Sequence, residues 1–156
     1  IGIGTGILAT KLYELNYDIY GIDFSDKMLE ASKEKMPNAK LIKWDFSLGL
    51  PREIKNEKFD FVVSTYALHH LTDEKKIQLI DSISSILKDD GLILIGDVSF
   101  TNKKDYLICK EENKDYWDSD EYYFIFDDIK RELENKYKCE YIKISHCAGV
   151  LILELN

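Results

Sequence analysis

Ile1-Gly2-Ile3-Gly4-Thr5-Gly6 opens the chain, and a helical pattern follows it at once. Glycine at alternate positions lets a backbone turn sharply from a strand into a helix. It also removes the side chains that would hold a ligand away from that backbone. The N–H groups of a helix start suit a polar or anionic ligand group. A dinucleotide fingerprint places glycine at the first, third and sixth positions of its run, which here would be position 7, where Ile7 stands. The third glycine is instead Gly6, giving G-x-G-x-G. Glycines also build ordinary tight turns, so the loop alone is weak testimony. It gains weight from Asp23, which closes the next predicted strand, Asp18-Ile19-Tyr20-Gly21-Ile22-Asp23. A carboxylate there can accept both hydroxyls of a ribose, as in nucleotide-binding α/β folds.

The rest of the chain alternates in the same way. Ile7, Leu8, Leu12 and Leu15 recur at helical spacing and predict a helix over 5–16. Ser25 is a good N-cap, Asp26 places negative charge in the first turn, and Pro37 marks the stop. A third strand is predicted over 39–44, with Asp45 at its end, and a fourth over 59–64, apolar throughout as in a parallel sheet buried on both faces. The spacing of Ile77, Ile80, Ile83 and Leu87 predicts a helix over 72–88, and a buried strand follows over 91–98. Residues 101–126 lose periodicity and become acidic and aromatic. A last helix is predicted over 127–137. Strands over 139–145 and 150–155, separated by His146-Cys147-Ala148-Gly149, read as an antiparallel β-hairpin. Strands alternating with helices imply an α/β, doubly wound, mostly parallel sheet with right-handed crossovers, and ligands in such folds bind outside the carboxyl ends of the strands.

The loop over 2–6, Asp23-Phe24-Ser25-x-x-Met28, Trp44-Asp45-Phe46 and Phe59-Asp60-Phe61-Val62-Val63-Ser64 together resemble the motifs of class I S-adenosylmethionine-dependent methyltransferases. The run Ser64-Thr65-Tyr66-Ala67-Leu68-His69-His70-Leu71-Thr72-Asp73-Glu74 further resembles a small bacterial group of methyltransferases associated with homocysteine and methionine salvage. The resemblance is strong over residues 1–100 and weak beyond. It implies a Rossmann-like fold ending in an antiparallel hairpin, S-adenosylmethionine as cofactor and S-adenosylhomocysteine as product. By the same resemblance, Gly2, Ile3, Gly4, Thr5 and Gly6 pass beside the methionine end of the cofactor. Asp23 takes the ribose hydroxyls, Phe24 and Met28 pack on adenine, Asp45 accepts the adenine amino group, and Phe46 walls it. Ser64 to Tyr66 face the methionine moiety and the acceptor. Residues 101–126 correspond to a substrate-cover insertion; their bland reading is a solvated loop with a few aromatics tucked into the core.

His69-His70 invites overreading. Imidazole takes a proton near neutral pH, so His69, and Tyr66 beside it, are the candidate catalytic residues. The plain alternative is one histidine that packs or caps the next helix and another that is exposed. Adjacent residues seldom point the same way, so no metal site is assigned. Asp97 is expected at a strand end, lining the substrate side or merely solvated. Methyl transfer from a sulfonium is an in-line displacement whose reactivity the cofactor brings, so no triad or metal cluster is required.

A single domain over 1–156 is expected, with the opening in mid-motif predicting a further N-terminal part in the natural protein. Hydrophobic residues at 45% and charged residues at 32% fit an ordinary globular protein. The net charge of −8 argues against a nucleic-acid partner. No apolar run approaches membrane-spanning length. Three cysteines without a C-x-x-C pair read as reduced thiols, hence a cytoplasmic setting. The expected partner is a small-molecule methyl acceptor, for a monomer or homodimer. Two rivals stand beside this reading. One is a nicotinamide-dependent oxidoreductase on the same sheet, disfavoured by Ile7 and by the hairpin. The other is an S-adenosylmethionine-binding domain that has no transfer activity.

Overall fold

The glycine loop runs directly into helix α1 (Ile7–Glu14), and left-handed Gly6, φ 74°, is its N-cap. This computed structural model describes residues 1–156. Strand β1 (Tyr20–Asp23) leads to α2 (Asp26–Lys35), whose N-cap Ser25 accepts from the Met28 N–H. Next come β2 (Lys40–Lys43), β3 (Phe59–Thr65), α3 (Asp73–Ile83), β4 (Leu87–Phe100) and α4 (Lys103–Glu112). A short β5 (Phe124–Ile125), α5 (Phe126–Leu133), β6 (Tyr137–Lys143) and β7 (Ala148–Leu155) complete the chain.

Two parallel strands, β1 and β2, form one sheet. The second runs in the order β3-β4-β7-β6, with β3 parallel to β4 and β7 antiparallel to both its neighbours. Residues 1–3 lie between the two sheets. The Ile1 amino group donates to the Val63 carbonyl at 2.7 Å, and the Ile3 N–H donates to the Ile22 carbonyl at 3.0 Å. The expected closing antiparallel hairpin is present and begins at Tyr137, two residues earlier than the periodicity predicts. The expected single mostly parallel sheet is instead divided into two, with the parallel pairs β1–β2 and β3–β4 in different sheets.

The core lies between the second sheet and helices α3 and α5. Alternate side chains of the central strands, Ile93 and Ile95 on β4 and Leu151 and Leu153 on β7, are at most 1% exposed. They meet Ile80, Ile83, Ile129 and Leu133 in one cluster. Each such side chain contributes about 1.5–3 kcal/mol on leaving water.

Several boundaries differ from the predicted ones, and those around α3, β4 and α4 bear on the site. Helix α3 ends at Ile83, not 88, because the hydroxyls of Ser82, Ser84 and Ser85 each donate to the carbonyl three residues back. Such local bonds compete with continuing the helix. Lys58 Nζ then takes the carbonyls of Ser85 and Leu87, and β4 starts at Leu87. Because β4 also runs on to Phe100, Asp97 lies inside it and not at a solvated end, and it is 2% exposed. The segment 101–126 is not aperiodic throughout: Asn102 accepts from the Asp105 N–H and caps α4. Beyond α4, Trp117 and Tyr123 meet edge to face at 5.0 Å and stack about Phe100 and Tyr106. No helix is long and apolar enough to cross a membrane.

Candidate functional site

Gly2, Gly4 and Gly6 all have positive φ, at 65°, 55° and 74°. Two of them are also places of close approach. A Cβ on Gly2 would stand 2.4 Å from the Ala67 Cβ, and one on Gly6 would stand 2.8 Å from Ser32 Oγ. Gly4 differs, since a Cβ there would meet nothing within 4 Å. The loop therefore packs at both ends and presents open space at its middle.

Its carbonyls are tied down by side-chain donors. Ser32 Oγ donates to Gly4 O at 2.8 Å, Lys35 Nζ to Thr5 O at 2.7 Å, and Thr10 Oγ1 to Gly6 O at 2.7 Å. Asp23 supplies the remaining anchor. Its Oδ2 accepts from Gly4 N at 2.8 Å, and its Oδ1 accepts from Ser25 N at 2.9 Å. Each carboxylate oxygen so occupied retains a second acceptor position.

An open cleft of about 820 Å³ lies beside this loop. Gly2, Ile3, Gly4, Thr5, Asp23, Phe24, Met28, Phe46 and Tyr66 line it, as does His70. Phe24 is 65% exposed and Met28 41%, so both offer apolar surface to an occupant and are not core packing. Phe46, at 7%, serves as a fixed wall. The cleft runs on between β1 and β3, past Tyr20 and Phe61, so the ligand end is only part of its volume. Gly6, Asp45 and Ser64 stand off the lining. Gly6 caps α1. Asp45 is exposed and caps the short turn Phe46–Leu48, accepting from Ser47 N at 2.9 Å. Ser64 is 4% exposed, and its hydroxyl oxygen is buried without a hydrogen-bond partner.

Where β3 ends, Tyr66 adopts φ 49° and is 64% exposed. A left-handed tyrosine is a strained conformation, of the sort that gathers at ligand sites. The Tyr66 N–H donates to the Gly96 carbonyl at 2.9 Å and pins the turn in place. The following turn, Leu68–His70, gives the two histidines different exposure but, contrary to the expectation that adjacent residues diverge, keeps their rings 4.2 Å apart between centroids and near Glu121. His70 is exposed and lines the cleft. His69 turns inward, 7% exposed, and its Nδ1 meets Asp97 Oδ1 at 2.6 Å. This inward turn places the predicted catalytic imidazole behind the cleft lining and not on it. Its Nε2 lies 3.5 Å from Glu121 Oε1.

Asp97 is the residue whose part sequence reasoning missed. Besides His69 it binds the backbone N–H groups of Leu68, His69 and Val98. The available signal was an acidic residue inside an otherwise apolar strand, which needs buried partners. The hydrogen bond that the His69 ring donates to Asp97 raises the His69 pKa above its ordinary value; burial opposes this, and the Asp97 and Glu121 charges add to it. The 117–123 segment closes over the pair. Tyr122 N donates to His69 O at 2.7 Å, and buried Lys76 donates to the Tyr122 carbonyl and to Asp73. Burial, then Glu121, holds the Tyr123 phenol above its usual range. The arrangement can bind a partly apolar, hydroxyl-bearing ligand at the loop and offer imidazole and phenol groups beside it.

Residues 1–91 match the family model described as Methyltransferase domain. An uncharacterized methyltransferase of Anoxybacillus flavithermus is 39% identical over 133 residues, covering 84% of this chain and 58% of the relative. One from Alkaliphilus oremlandii is 32% identical over 132 residues, covering 85% and 57%. The chain thus spans less than two thirds of the length of these curated relatives. Among solved structures, the DhpI–SAH complex superposes with a TM-score of 0.76 at 14% identity, over 99% of this chain and 74% of that one. An S-adenosylmethionine-dependent methyltransferase from Clostridium acetobutylicum gives 0.77 at 14% identity, over 99% and 82%. The likeness to solved structures is one of fold, and the family rests on the matched sequence. The chain belongs to the methyltransferase-domain family.

Proposed function

We propose that this chain forms the cofactor-binding core of an S-adenosylmethionine-dependent methyltransferase acting on a small-molecule acceptor. One observation carries the reading: the open face of Gly4 lies beside the Asp23 carboxylate, with exposed Phe24 and Met28 along the same cleft. That combination fits an adenosine-bearing ligand. Asp23 has an acceptor position free on each oxygen for ribose hydroxyls. Phe24 and Met28 offer apolar faces to a base, against the fixed wall of Phe46. Asp45, with one oxygen engaged by Ser47 N, keeps acceptor capacity for an exocyclic amine.

When bound, the cofactor supplies an electrophilic methyl group and departs as S-adenosylhomocysteine. The residues of this chain bind, orient and manage a proton. Tyr66 and His70 face the cleft beyond Gly4, where an acceptor would approach. His70, the imidazole on the cleft, is placed to take a proton from an acceptor, while Asp97 and Glu121 hold His69 behind the lining and position the turn that carries His70. The 117–123 segment, already bonded to His69 and Lys76, serves as a cover that limits water. A small acceptor is favoured over nucleic acid by the net charge of −8. The likeness of residues 64–74 to the salvage-associated group makes sulfur-containing amino acids and their nucleosides the first acceptors to screen. The free cysteines fit a cytoplasmic setting, in a monomer or homodimer.

Calorimetric titration with S-adenosylmethionine, S-adenosylhomocysteine and NAD tests the cofactor. Binding of both sulfur compounds without NAD is the expected result. Binding of NAD alone would return the glycine loop to the dinucleotide reading. Cofactor binding without turnover on any acceptor in the screen would favour a binding domain.

A further inference from the structure

Away from the cleft, three soft donor atoms converge from two separate elements. Cys109 on α4 meets His146 and Cys147 in the turn between β6 and β7, with one ligand atom of each within 4.8 Å of the other two. Other contacts hold the helix and the turn in this relation. Lys143 Nζ pairs with Asp105 Oδ2 at 3.1 Å, and the Cys147 carbonyl accepts from Ser99 N at 3.1 Å. The three residues are graded in exposure: Cys109 is buried, Cys147 half-buried and His146 exposed.

The donor set decides what such a cluster suits. Two thiolates and an imidazole are soft to borderline ligands, matched to Zn²⁺, whereas Mg²⁺ and Ca²⁺ take oxygen. Polar neighbours already face the sulfurs. Asn113 Nδ2 donates to Cys109 Sγ at 3.6 Å, and Ser145 Oγ lies 3.9 Å from Cys147 Sγ. Hydrogen bonds of this kind accompany metal-bound thiolates and orient them. Zinc prefers four ligands, and with three supplied by the protein the fourth would be water.

We propose that Cys109, His146 and Cys147 bind Zn²⁺ and clamp helix α4 to the β6–β7 turn. On binding, each thiol releases its proton to solvent as its sulfur bonds the ion, so no electron is transferred and no oxidant is needed. The site does not depend on the proposed methyl transfer, because none of its ligands lines the cleft. Its effect on the fold is local: it joins the helix that follows β4 to the hairpin that closes the sheet.

The test uses the reduced full chain, freed of metal by a chelator and titrated with Co²⁺ as a spectroscopic stand-in for Zn²⁺. The expected result is thiolate-to-cobalt charge-transfer absorption that saturates at about one ion per chain and is abolished by added Zn²⁺. C139S keeps the bands, since Cys139 lies outside the cluster. C147S loses them, and His146→Ala weakens binding by more than about tenfold. Cys109 is buried and C109S is open to misfolding, whereas C147S on the turn keeps the experiment decisive. Absence of the bands, or their persistence in C147S, would overturn the site. So would a Cys109–Cys147 disulfide that forms in air at the same rate with and without excess Zn²⁺.

Discussion

Asp97 holds His69 through a contact of 2.6 Å between Oδ1 and Nδ1, and its other oxygen accepts the backbone N–H groups of Leu68 and His69. One carboxylate therefore aims the imidazole and shapes the turn that carries it. Because Asp97 lies inside β4 and the turn follows β3, the pair fixes the geometry between the end of β3 and the interior of its neighbour. Glu121 stands on the opposite side of the ring, 3.5 Å from Nε2. The histidine is thus held between a fixed acid in the sheet and a second acid on the covering segment.

Asp97→Asn removes the charge but keeps the shape, and the loss of a buried charge-assisted hydrogen bond should cost about 2 kcal/mol. The cost should depend on pH. Asp97 raises the folded-state pKa of His69. That stabilisation is complete below the unfolded value of about 6.5 and is lost as pH rises through the higher folded value. Urea unfolding at a series of pH values should show the widest gap between wild type and variant below pH 6 or so, narrowing on the alkaline side. A gap constant across that range would remove the ionic part of the account.

Asp23→Ala should weaken S-adenosylmethionine binding at least tenfold, about 1.4 kcal/mol. The variant also frees Gly4 N and Ser25 N, which Asp23 now holds. Asp23→Asn separates the two effects: its amide keeps one acceptor oxygen but cannot accept at both positions. Calorimetry should place it between wild type and Asp23→Ala. Wild-type affinity in a folded Asp23→Ala protein would count against the ribose role.

How much could be read beforehand follows from the range of each interaction. The loop, Asp23 and the alternating elements are written in local patterns, and the structure places them where those patterns point. Helix α4 was hidden because it has no apolar stripe: Leu107 and Ile108 are 53% and 47% exposed, and Cys109 alone is buried. The end of α3 was obscured because Leu87 continues the helical stripe, although it already belongs to β4. The bond between His69 and Asp97 crosses 28 residues, and no periodicity reports a contact of that kind. Lys76, fully buried beneath Phe124 with Nζ 4.4 Å from the ring centre, reads in sequence as one more solvated lysine.

Lys76→Met tests whether that lysine ties the covering segment down. The variant keeps the apolar stem but loses the bonds to the Tyr122 carbonyl and Asp73. Hydrogen exchange should accelerate at the Tyr122 amide, which is bonded to His69 O, while β4 and β7 amides stay protected. Equal protection throughout would show that the aromatic cluster holds the segment without it.

Gly2→Ala and Gly4→Ala should differ in kind. The Gly2 methyl group would press on Ala67, so that variant should lose stability beyond the roughly 1–2 kcal/mol of left-handed strain. The Gly4 methyl group meets no protein atom, so Gly4→Ala should incur the strain alone. It would nonetheless fill the space beside Asp23, and cofactor affinity should fall by more than about tenfold. Melting curves and calorimetry on the two variants give the comparison. Equal affinity in wild type and a folded Gly4→Ala would mean that the cofactor does not pass over the loop.

Tyr66→Gly sets backbone strain against function at one position. Glycine adopts φ 49° without the penalty a tyrosine incurs, about 1–2 kcal/mol, but loses roughly 0.5–1 kcal/mol through its freer unfolded chain. The exposed ring contributes little burial to offset the difference. Stability should therefore stay within about 1 kcal/mol of wild type, or rise slightly. If the ring is held in this conformation to meet the acceptor, turnover should fall while S-adenosylmethionine affinity holds, and Tyr66→Phe should show whether the hydroxyl matters. A stabilised variant with undiminished turnover would leave the left-handed tyrosine as a feature of the turn and no part of the site.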